Sequence, residues 1–290
     1  MVIRNVNLLN HSSEIDSWII DHIINYDLST VVDVFFQPKI NIIDQSVFGF
    51  EALSRVVEPY SKHIMLNVLM KVFMRNTELE KKLLKFLLDK VIEFLIRQNS
   101  ISEEVVPISI NVSKRLLSDP DFISILDISL STYNFPKRTL IIEVLEDSCE
   151  EVPLLLLSEK IKILRALGYG VSLDDFGTKD ANFETLISCD FSEIKLDRFV
   201  LNDIENKSKI MFISFMAKLT ESLNMDFVIE GVETERQLNI LRNLGVRVCQ
   251  GFYFSTPISQ RSALEFIVDN KLKMNNIFKY SNSIRMCNFQ

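Results

Sequence analysis

A chain of 290 residues with 47% hydrophobic content is long enough to bury a substantial core and too apolar for extended disorder. Its 39 acidic residues outnumber its 32 basic ones, for a formal charge of −7, so no nucleic acid polymer is expected as a partner and any phosphate ligand would need local cations. No uncharged apolar run approaches the ~18 residues of a membrane span, and Met1–Asn10 lacks the layout of a secretory signal, which points to a cytoplasmic protein.

In chain order, residues 1–30 carry one amphipathic stretch, Ile15, Trp18, Ile19 and Ile23, expected to pack as a helix. Eight short apolar runs then predict strands: Val34–Phe36, Val47–Leu53, Pro107–Val112, Leu140–Val144, Val171–Leu173, Glu193–Leu196, Phe227–Ile229 and Val246–Cys249. Between the second and third, Lys62–Ser100 carries two helical patterns. Ser158–Leu167 places Ile161, Leu164 and Leu167 on one helical face, and Gly168 is set to end it. Thr234 and Gln237 stand in capping-box relation, Leu238 and Leu241 follow, and Gly245 supplies the stop, which predicts a helix near 235–244. Beyond Asp269 the chain has no acids but carries Lys271, Lys273, Lys279 and Arg285, a basic tail. Eight strands alternating with helices predict a (β/α)8 TIM-type barrel rather than an open sheet, with residues 1–30 as an N-terminal helical extension, 31–262 as the functional domain and 263–290 as a C-terminal helix and tail.

Cys149, Cys189, Cys249 and Cys287 are scattered singly, and His11, His22 and His63 form no ligand spacing, so neither zinc nor a disulfide framework is expected. The strand ends are different. The runs finish at Gln37, Glu51, Asn111, Glu143, Asp174 with Asp175, Lys195 with Asp197, Glu230 with Glu233, and Gln250. A barrel gathers such ends at one mouth. Carboxylates crowded there repel one another unless cations sit among them, and an oxygen donor set without His or Cys suits Mg²⁺ or Mn²⁺. Two such ions would serve hydrolysis at phosphorus. Each acid alone is more simply a helix cap or a solvated turn; Asn111 could cap the next helix, and Lys195 could pair with Asp197 or a neighbouring acid.

The ordered motifs FQP (36–38), EALSR (51–55), INVS (110–113), IEVLE (142–146), LDDFGT (173–178), IKLD (194–197), IEGVET (229–234) and QGFYFSTP (250–257) resemble those of the EAL-domain cyclic di-GMP phosphodiesterases, from about Val31 to Pro257. The resemblance implies a metal-dependent hydrolase that opens one phosphodiester of cyclic di-GMP to give linear pGpG, with two Mg²⁺ or Mn²⁺ ions. It would place Glu51, Asn111, Glu143 and Asp174 around one ion, and Asp174, Asp175 and Glu230 near the other. Lys195 would contact the attacking water and Arg55 would grip a phosphate. Gln37 and Asp197 would help hold the nucleotide, Gln250 would lie near the metals, and Glu146 and Glu233 would support loops. After Gly177-Thr178 the family continues with glycine, an aromatic and two small residues, whereas this chain has Lys179, Asp180, Ala181 and Asn182. A non-hydrolysing cyclic di-GMP receptor and a protein-interaction regulator therefore stay open beside the enzyme, and a homodimer and a regulatory protein partner are compatible with all three.

Overall fold

The computed structural model describes residues 28–57, 73, 76–102, 104–145, 152–177 and 183–272. The N-terminal stretch, most of the first of the two helical patterns, Glu146, Lys179–Asn182 and all but the start of the basic tail lie outside them. Eight strands close into a barrel in sequence order. They are β1 (Val32–Asn41), β2 (Val47–Val56), β3 (Ile108–Val112), β4 (Leu140–Val144), β5 (Gly170–Phe176), β6 (Glu193–Leu196), β7 (Asp226–Ile229) and β8 (Val248–Gln250). Around them lie α1 (Thr77–Ile101), α2 (Lys114–Ser118), α3 (Phe122–Ser131), α4 (Leu154–Leu167), α5 (Phe183–Ser188), α6 (Lys207–Ser222), α7 (Glu235–Asn243) and α8, residues 260–272.

The barrel is not uniformly parallel. β2 through β8 run parallel, but β1 is antiparallel to both its neighbours, β2 and β8. The reason is chain length. β1 and β2 are joined by residues 42–46, a hairpin connection, whereas a parallel pair needs a crossover of a dozen or more residues. β1 therefore extends through Lys39 to Asn41 instead of ending near Phe36, and after Gln37 it descends into the barrel. Because β8 is short, the upper part of β1 is covered by Ile258, whose backbone exchanges hydrogen bonds with Phe36 at 2.7 and 2.9 Å.

The core lies mainly between strands and helices. Outward residues such as Phe36, Phe50, Ile110, Ile142, Val171, Ile194 and Ile229 are fully or almost fully buried, and the helices cover them with apolar faces such as Leu84, Leu88 and Leu95 of α1 or Ile161 and Leu164 of α4. Gly168 ends α4 at φ +97°, and Thr234 with Gln237 forms the capping box of α7. The strand register sets Gln37 opposite Glu51 and Asn111 opposite Glu143, so polar side chains from successive strands share one level inside the barrel.

Candidate active site

Alternation along each strand sends every second side chain inward. Glu51, Asn111, Glu143, Asp174, Lys195 and Gln250 reach the same region from six different strands. Lys195, its side chain 1% exposed, sets its Nζ atom at their centre: 2.7 Å from Glu143 Oε2, 2.9 Å from Asp174 Oδ1, 2.6 Å from Glu230 Oε1 and 3.3 Å from Glu51 Oε2. Asn111 Nδ2 donates to Glu51 Oε1 at 2.8 Å, and Gln250 Nε2 donates to Glu51 Oε2 at 2.7 Å and Gln37 Oε1 at 3.1 Å. Gln37 Nε2 in turn donates to the Ser255 carbonyl. Lys195 thus pairs with neighbouring acids rather than with Asp197, and Asn111 does not cap the next helix: Ser113 is the N-cap of α2, its hydroxyl accepting from the Leu116 amide.

Two consecutive acids cannot both face inward from a regular strand. β5 resolves this with a register break between Leu173 and Phe176 and a left-handed Asp175, φ +51°. As a result Asp174, Asp175 and Glu230 each place a carboxylate oxygen within 4.8 Å of the others.

The electrostatics are those of an anionic cage with too few cations. Burial raises the carboxyls of Glu51 and Asp174, and neighbouring carboxylates add to the rise against the pull of Lys195. Asp175 is raised as well, chiefly by burial. Burial with the Asp174 and Glu51 charges lifts Glu230 to about 8 despite Lys195. Glu143 goes the other way: burial opposes its ionisation, but the two ammonium groups of Lys195 and Lys39 hold it down at about 2. Lys195 resists burial because the surrounding carboxylates push it well above an ordinary lysine. One ammonium cannot neutralise this ring, and the Asn111 Oδ1 atom is buried with no hydrogen-bond partner among the described residues. Carboxylates plus an orphaned amide oxygen, with no His or Cys, form a donor set that fits hard divalent cations.

Above the cage a cleft of about 300 Å³ opens, lined by Gln37, Glu51, Leu53, Asp197, Arg198, Glu230, Gly231, Glu233, Gln250, Gly251 and Phe252. Asp197 spends one oxygen capping the turn Arg198–Leu201 through the Phe199 amide. Glu233 lies exposed at the rim, and Arg55 lies exposed on the face of β2 that carries Glu51, four residues further on. Reading strand ends missed Arg198, which follows Asp197 and lines the cleft, and Lys39, a charge beyond Pro38 in an otherwise apolar run.

Comparison with known proteins agrees with this architecture. A model of the EAL domain matches residues 29–257. The chain is 27% identical over 224 residues to the oxygen sensor protein DosP of Escherichia coli, a match covering 77% of this chain and 28% of the relative. It is 25% identical over 237 residues to the cyclic di-GMP phosphodiesterase RocR of Pseudomonas aeruginosa, covering 81% and 59%. The chain thus spans less than two thirds of the length of these relatives. The solved structure of the PaMucR phosphodiesterase in complex with c-di-GMP superposes with a TM-score of 0.75 at 24% identity, covering 85% of this chain and 99% of that one, a likeness of fold.

Proposed function

Because the chain belongs to the EAL domain family, we propose that it is a divalent-metal-dependent phosphodiesterase that hydrolyses cyclic di-GMP to linear pGpG. The observation that carries this reading is the cage itself: Glu51, Glu143, Asp174 and Glu230 converging on Lys195 beside the orphaned Asn111 Oδ1, beneath an open cleft. Glu51, Asn111, Glu143 and Asp174 would hold one Mg²⁺ or Mn²⁺ ion, and Asp174, Asp175 and Glu230 a second. Ions bound there would neutralise phosphate charge and lower the pKa of a water at neutral pH.

The chain's own groups do the rest. Lys195, a hydrogen-bond donor at the centre of the cage, orients the attacking water. The water oxygen bonds to phosphorus, the bond from phosphorus to the 3′ oxygen breaks, and that oxygen leaves with a proton. Arg55, whose guanidinium fork matches a phosphate, grips the nucleotide from the end of β2. Gln37, Asp197 and Gln250 position it in the cleft, and Glu146 and Glu233 support the surrounding loops. We assign this unit to residues 31–262 and place the protein in the cytoplasm; in support of the location, no helix among the described residues is long and apolar enough to cross a membrane. Exposed Phe183 and Ile187 on α5 and Met211 and Phe215 on α6 support assembly with a second copy or a regulatory partner.

The residues Lys179–Asn182, which depart from the family pattern, favour a second reading in which the nucleotide binds without turnover. Incubation of the purified protein with cyclic di-GMP and Mg²⁺ or Mn²⁺, followed by chromatography, separates the two. Linear product that vanishes with EDTA is the expected result. Nucleotide binding without product would favour the receptor, and neither binding nor product would contradict both.

A further inference from the structure

A second charged layer lies beneath the cage. Because β1 runs antiparallel, the residue two beyond Gln37 sits deeper in the barrel, and that residue is Lys39, 1% exposed. Its ammonium donates to Ser109 Oγ at 2.8 Å, Glu143 Oε1 at 2.8 Å and Glu193 Oε1 at 2.6 Å. A lysine has three protons to donate, and here each has its acceptor, so the group has a single orientation. Glu193 is equally buried, and its Oε2 has no hydrogen-bond partner among the described residues.

The consequence falls on Glu143. Lys39 takes its Oε1 from below, while Oε2 points to Lys195 at 2.7 Å. The carboxylate is pinned at both ends and can present one oxygen to the cage, not two.

We infer that Lys39, backed by Glu193, is a positioning residue that fixes Glu143 as a one-oxygen ligand for a divalent cation. The inference rests on the metal-dependent reading of the cage given above. Lys39 does not line the cleft; it acts through Glu143. Glu193 makes the arrangement workable, since a lysine and a glutamate together add no net charge beneath the cation site. Loss of the pair therefore changes the orientation of Glu143 while leaving the net charge of the barrel interior as it was.

The test is the charge-neutral double variant Lys39→Met/Glu193→Gln in the full chain, compared with the parent in three measurements: the urea midpoint, the dissociation constant for Mn²⁺ read by paramagnetic resonance of free Mn²⁺, and kcat and KM for cyclic di-GMP. Removing a partner that orients a metal ligand costs about 10–100-fold in metal affinity or activity. Expected are Mn²⁺ binding weaker by about tenfold or more and kcat lower by a similar factor, with KM within about threefold and the midpoint close to the parent's. Unchanged Mn²⁺ affinity and kcat would overturn the inference, as would losses that merely track unfolding. Should the double variant fail to fold, Glu193→Gln alone carries the test: it keeps the shape but leaves the Lys39 charge unbalanced, so Mn²⁺ should bind about tenfold more weakly, and unaltered binding would refute the coupling. A parent that neither binds Mn²⁺ nor turns over substrate brings down the metal-dependent reading first. A parent that does both beside an unaffected double variant brings down this inference alone.

Discussion

Replacing Lys195 by methionine removes the ammonium on which four carboxylates converge, at 2.6, 2.7, 2.9 and 3.3 Å. Breaking a buried ion pair by deleting one partner costs about 3–5 kcal/mol. The low end applies here, because Glu230, already at about 8, and the raised Glu51 relieve the repulsion by taking up protons. Each unit of further pKa rise costs about 1.4 kcal/mol. A loss of about 3 kcal/mol divided by a urea slope of about 3 kcal/mol per molar moves the midpoint by about 1 M in EDTA. A cation in large excess supplies the missing charge and stabilises whichever form binds it more tightly, by about 2.7 kcal/mol at one hundred times its dissociation constant. The variant has no ammonium competing for these oxygens, so saturating Mn²⁺ should narrow the gap between variant and parent. Urea melts followed by far-ultraviolet circular dichroism, with EDTA and with Mn²⁺, measure this. Equal midpoints in EDTA, or a gap that widens with Mn²⁺, would refute the reasoning.

Glu51→Ala removes the carboxylate that Asn111, Gln250 and Lys195 share, and both turnover and Mn²⁺ binding should be lost; full activity in that variant contradicts the assignment. Gly231 holds φ +71° and a Cβ there would lie 2.4 Å from Arg198 Cβ, so Gly231→Ala should cost about 1–3 kcal/mol and raise KM by displacing a cleft wall, checked by urea melts and steady-state kinetics. Away from the site, Asp127 accepts from Lys137 Nζ at 2.6 Å and Tyr169 Oη at 2.7 Å. Burial opposes its ionisation, but these two donors lower its pKa overall. A depressed folded pKa gives stability that is present above the unfolded value, about 4, and is lost as pH falls through the lower folded value. The urea midpoints of the parent and Asp127→Asn should therefore differ near neutrality and converge in acid; a constant difference would count against the pairing.

Much of the barrel was legible because its cues are local. The capping box of Thr234 and Gln237, the stop at Gly168 and the apolar runs of β4 and β7 depend on neighbours within a few residues. So too was the polar rim, since a charge ending an apolar run stands out at Glu51, Glu143 and Lys195. The direction of β1 was legible in principle, because residues 42–46 leave no room for a crossover, but the strand was ended too early at Phe36. That same short reading hid Lys39, whose partners Ser109, Glu143 and Glu193 lie 70, 104 and 154 residues away along the chain. Nor could alternation foresee that Asp174 and Asp175 both serve the mouth, because that follows from a break in the β5–β6 register. Asp197 shows the opposite limit: it stands at the rim as expected, yet one of its oxygens caps a turn.

Turnover in oxygen-18 water with Mn²⁺ and with EDTA, the product read by mass spectrometry, decides whether the cage serves water attack on a cyclic dinucleotide phosphodiester. The expected product is pGpG carrying a single heavy oxygen in its 5′-phosphate, formed with Mn²⁺ and absent with EDTA. Cyclic di-GMP recovered intact with Mn²⁺ present, or product formed equally in EDTA, would contradict that role.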